Sequence, residues 1–128
     1  MVTRIQEIVN EKQVETVLSN VGTDNWVLYV PSYGRVAGDV HYLRRSEPSN
    51  QESYTVGLWR HFPEDAPEGI PFNVKGNETF HVIKGEAELT TSEGKKIKLQ
   101  KGDLVSFQDG FKAHWVTLTP FIKFFIQS

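Results

Sequence analysis

ETFHVIKGEAELT, residues 78–90, decides how the rest of the chain is read. Two short runs, 78–84 and 86–91, flank Gly85, and Ala87 and Leu89 alternate with polar neighbours. Alternation with period two is the mark of a half-buried strand, because successive side chains leave opposite faces. Working outward, similar runs occupy 96–99, 103–107, 113–118 and 121–126, with Glu93-Gly94, Lys101-Gly102, Asp109-Gly110 and Pro120 between them. Strands separated by turns rather than by helix-length segments predict an all-β domain, not β-α-β units. Upstream, 26–30, 36–43 and 54–60 are further strand candidates. HFPEDAPEGIP, residues 61–71, reads as a loop because of its prolines and acids. At the amino end, Thr3 and Gln6 form a capping-box pattern, and Ile5, Ile8 and Val9 an apolar stripe. Residues 1–22 are therefore expected to form a short helix or an extended arm.

The chain has 128 residues, enough for one domain and its core. With no cysteine, disulfides, thiolate metal sites and cysteine nucleophiles are excluded. Fourteen Lys+Arg against 16 Asp+Glu give a formal charge of −2, which argues against nucleic acid as a partner. Lys95, Lys96, Lys98 and Lys101 read as a solvated face or an edge guard. No apolar run approaches the roughly 20 residues that span a bilayer, and MVTRIQEIVNEKQ has no signal-like core. No membrane association and a cytoplasmic location are the expectations.

The run Glu78–Gly85 resembles the latter part of the first cupin motif, whose glutamate stands seven residues before a turn glycine. Gly102–Gly110 resembles the second cupin motif, with Gln108 where that motif usually has proline. Phe111 to Val116 continue like the small EutQ-like (ethanolamine-utilisation) cupins, and Ile122–Ile126 looks like a closing strand. The resemblance covers roughly residues 54–127. It implies a single cupin domain over 1–128, folded as a double-stranded β-helix, that is, a jelly-roll barrel. Metal-binding cupins supply two histidines upstream of the glutamate, at or near Pro71 and Asn73 here, and a third at Ala113. Only Glu78 remains of the usual set. No cofactor is expected, and a divalent metal is disfavoured.

Strand phase sorts the remaining candidates. If Glu78 points inward, so do Phe80 and Val82, while Thr79 and His81 point out. Ala113, Trp115 and Thr117 share the inward face after Gly110, leaving His114 outside. His41, between Val40 and Tyr42, is assigned an exterior place. His61 shares the phase of Trp59, so it either reaches the cavity or belongs to the proline-rich loop. An inward Glu78 must be ionised and paired, or protonated. Its candidate partners are His61, Arg60, Tyr54 and Gln108. Trp59, Phe72, Phe80 and Trp115, with Gln108, are the expected ligand-binding wall.

Two functional readings stay open. One is a small-molecule-binding cupin with a degenerate, metal-free pocket centred on Glu78. The other is a divergent enzyme performing acid/base chemistry (isomerase, lyase or cyclase) with Glu78 and His61, with or without a divalent metal. A homodimer is expected from the exposed sheet edges and the amino-terminal arm.

Overall fold

The computed structural model describes residues 15–31, 34–46 and 53–128. Ten strands follow in order: β1 (Val27–Leu28), β2 (Asp39–Arg45), β3 (Thr55–His61), β4 (Ile70–Asn73), β5 (Glu78–Lys84), β6 (Glu86–Thr91), β7 (Lys96–Gln100), β8 (Leu104–Phe107), β9 (Lys112–Thr117) and β10 (Phe121–Gln127). They form a six-stranded sheet, β1-β2-β3-β10-β5-β8, and a four-stranded sheet, β4-β9-β6-β7. All pairings are antiparallel.

The all-β expectation holds, but the barrel does not. Among the described residues neither sheet closes on itself: one ends at β1 and β8, the other at β4 and β7. The two layers meet through side chains instead of through a continuous ladder. Trp59 and Phe80 of the larger sheet pack against Trp115 and Phe72 of the smaller, with ring centroids 5.2–6.5 Å apart. The chain passes between sheets at Gly85, the single residue separating β5 from β6. Its φ of +91° belongs to glycine, and a Cβ there would lie on the carbonyl oxygen of Pro120. That corner is the tightest of the connections that carry the chain from one layer to the other.

The short amino-terminal helix is corrected as far as the described residues reach. Thr3, Gln6 and the stripe Ile5-Ile8-Val9 lie outside them. Residues 15–22 contain one 3-10 turn, Ser19–Val21, with Asn20 and Val21 at φ +54° and +59°. Left-handed backbone at two successive residues stops a right-handed helix, and at a β-branched valine it is strained. The 61–71 stretch also differs from its reading, since its end forms β4. Pro71 lacks an amide to donate, yet β4 lies at a sheet edge, where one ladder bond is dispensable.

Inward residues follow the predicted phase. Glu78, Phe80 and Val82 are buried, whereas His81 is exposed. Trp115 and Thr117 are buried and His114 is exposed, its Nε2 being 2.7 Å from the Glu68 carbonyl.

Candidate functional site

Between the layers lies a cavity of about 260 Å³. Trp59, Phe72 and Trp115 form its apolar wall; Glu78, Lys123 and Gln127 form its polar floor. Tyr42, Arg45, Thr55 and Asn73 also line it. Registers explain the grouping. Glu78 faces Gln127 across the β5–β10 ladder, and Gln127 faces Thr55 across the β10–β3 ladder. Thr55 in turn faces Arg45 on β2, so four polar side chains share one end of the sheet.

The centre of the site is an ion pair. Lys123 Nζ donates to Glu78 Oε2 at 2.7 Å, and Gln127 Nε2 donates to Oε1 at 3.2 Å. Glu78 is 4% and Lys123 5% exposed. The ammonium lies within 4.2–5.2 Å of the ring centroids of Phe80, Phe72, Trp59 and Trp115. Ring faces attract a cation at this range, so the box offsets part of the charge's lost hydration. Burial still pushes the Lys123 pKa below the ordinary lysine range, with the Glu78 charge and hydrogen bond opposing part of that fall. Taking each ion out of water costs several kcal/mol, so such a pair is held for more than its attraction.

The expected partners of Glu78 are replaced by Lys123 and Gln127. Arg60 points to the other face and pairs with Asp39 at 2.8 Å. Tyr54 is exposed. Gln108 is exposed too and absent from the cavity lining, because it sits in the turn between β8 and β9. His61 is buried but belongs to the far end of β3, opposite Phe121. Six residue steps along β10 separate that row from the Gln127 row, a span of about 20 Å. There its Nδ1 lies 2.7 Å from Thr117 Oγ1, which also accepts Trp115 Nε1–H at 2.8 Å, and its ring stacks on Trp59. Burial lowers its pKa, with Asp65 and Asp39 opposing. His61 thus packs beneath the aromatic wall and is not among the residues that line the cavity. Of the expected ligand-binding residues, Trp59, Phe72 and Trp115 line the cavity, and Phe80 stands behind Lys123.

His41 leaves the outer face of the larger sheet, as its phase requires, but is buried beneath residues 23–26. Its Nδ1 lies 3.0 Å from Thr23 Oγ1 and 3.1 Å from the Asn25 carbonyl. Burial lowers its pKa, and the Asn25 bond opposes.

Pro71 and Asn73 line the cavity, and Ala113 packs against the core; none offers an imidazole. Among the described residues no group of three or more His, Asp or Glu side chains is arranged to hold an ion. The one carboxylate in place is already bonded to an ammonium. The donor set does not fit a metal.

The match of residues 64–125 to a cupin domain, with the motif glutamate at the floor of the cavity, makes the chain a member of the cupin superfamily. Within it, residues 64–125 match the EutQ-like cupin domain, and the chain belongs to that subgroup. It is similar to the EutQ protein of Clostridium difficile, at 13% identity over 70% of this chain and 68% of that one, with a TM-score of 0.53. A putative ethanolamine utilization protein Q from Salmonella typhimurium is 12% identical over 80% and 92%, with a TM-score of 0.52. A DUF861 family protein from Thermotoga maritima is 33% identical over 53% and 73%, with a TM-score of 0.46. No curated protein matches the chain.

Proposed function

We propose that the chain is a divergent cupin enzyme that moves a proton on a small molecule held in this cavity. Isomerisation, elimination and cyclisation are the reaction types such a step serves. The buried Glu78–Lys123 pair at the cavity floor carries the reading. In water an ammonium and a carboxylate differ too far in acidity to exchange a proton. In an apolar box burial lowers the Lys123 pKa, so the ammonium gives up a proton more readily than in water. Such a pair can take a proton from a bound molecule at one atom and return it from another. Glu78 is the acid/base; Lys123 holds the matching proton. His61, beneath Trp59, takes no part. The aromatic wall supplies apolar contact for the ligand, and Asn73 and Thr55 supply hydrogen bonds at the rim.

The test follows α-proton exchange by NMR in deuterated buffer, using small ketones and 2-oxo acids. Exchange above the buffer rate is expected with the natural sequence, and a fall of roughly 10²- to 10⁴-fold with Glu78→Gln. Equal exchange by both proteins would remove Glu78 from the chemistry. Quenching of Trp59 and Trp115 fluorescence by a molecule that never exchanges would instead favour a binding module.

A further inference from the structure

We infer that Lys123 is an amine nucleophile that forms an imine with a small carbonyl compound bearing a carboxylate. This rests on the proton-transfer reading and names its substrate class. Four features of the cavity converge on it. Lys123 lines the cavity. Aromatic rings surround it, and a lysine stripped of water in an apolar site is the form that attacks carbonyls. A carboxylate lies 2.7 Å from the same nitrogen, placed to take its proton. Arg45 lies at the rim, its guanidinium 4.1 Å above the Tyr42 ring, and a guanidinium presents the fork that matches a carboxylate.

The reaction balances with these groups alone. Glu78 takes a proton from the Lys123 ammonium, freeing the nitrogen lone pair. That pair bonds to the carbonyl carbon while the C=O π electrons move to oxygen, which takes the proton from Glu78. The nitrogen, now carrying a positive charge, gives a second proton to Glu78, leaving a neutral carbinolamine. Glu78 delivers this proton to the hydroxyl, water departs, and the nitrogen lone pair forms C=N. Carbonyl compound and ammonium become iminium and water, with one positive charge on each side and Glu78 again a carboxylate. The iminium draws electrons from the adjacent carbon, and Glu78 is then the base that removes a proton from it.

Reductive trapping tests the inference on the unaltered protein, so no variant has to fold. Glyoxylate, pyruvate or propanal is added with sodium borohydride, and modified lysines are located by peptide mass mapping. Exposed Lys95, Lys96, Lys98 and Lys101 serve as internal controls. Lys123 is expected to be labelled by glyoxylate roughly tenfold above these controls, as activation by burial requires. Glyoxylate should also label it more than propanal, the aldehyde without a carboxylate. Equal labelling of Lys123 by the two aldehydes would overturn the carboxylate specificity. Labelling confined to the surface lysines, with pyruvate α-proton exchange intact, would overturn the imine and leave proton transfer standing. Loss of both labelling and exchange would overturn both.

Discussion

Replacing Lys123 by methionine is the most direct probe of the ion pair. Methionine nearly matches the lysine stem in length and suits an aromatic box through sulfur–ring contact. The substitution therefore leaves packing largely intact and removes the charge. Glu78, 4% exposed, keeps only Gln127 as a donor. A buried charge deprived of its partner costs about 3–5 kcal/mol. For a chain of this size that is a fall in melting temperature of roughly 10–25 °C. Adding Glu78→Gln removes the stranded charge, so the double variant should be more stable than Lys123→Met alone, and the two single effects should miss additivity by at least about 2–3 kcal/mol. Urea denaturation of the four proteins, with equal slopes, gives the cycle. Additive single effects, or a Lys123→Met cost below about 1 kcal/mol, would refute the buried pair.

The histidines and the sheet corner give two further expectations. His41 and His61 both have pKa values lowered by burial, so the unfolded chain takes up protons first as pH falls below 6.5. Stability should therefore be level above that pH and decline below it until the folded-state values are passed. Denaturation midpoints between pH 8 and pH 5 measure this, and His61→Phe should flatten part of the slope. Gly85→Ala should cost about 1–3 kcal/mol or more from backbone strain plus the contact with the Pro120 carbonyl. A melting temperature within a degree or two of the natural sequence would contradict that corner.

From residue 78 onward the strands were legible because each run is bounded by a glycine turn or a proline. Phase within them was legible for the same reason, since one inward residue sets the rest. β4 was hidden by Pro71, which argues against a strand except at an edge, and edge position is a tertiary fact. Closure was misjudged because the motifs record strands and turns, not which outer strands exchange hydrogen bonds. Lys123 was missed because Phe121–Gln127 is apolar on both faces, and a lone lysine in such a run ordinarily marks the solvent side. The signal was indirect. An inward Glu78 required a partner, and Lys123 lies on the buried phase of Phe121 and Phe125. His61 attracted attention by its type, but its row is at the wrong end of the strand.

β10 lies between β3 and β5 in the larger sheet, so strands that are separate in sequence become neighbours only when it arrives. Glu78 and Lys123 are 45 residues apart. During synthesis the acid leaves the ribosome seconds before its counter-charge, at about 5–20 residues per second. In that interval β5 has an unpaired edge and a carboxylate that no apolar core will accept. Premature collapse of the half-made sandwich around β5 is therefore discouraged, and the last inserted strand both completes the sheet and admits the acid to its interior.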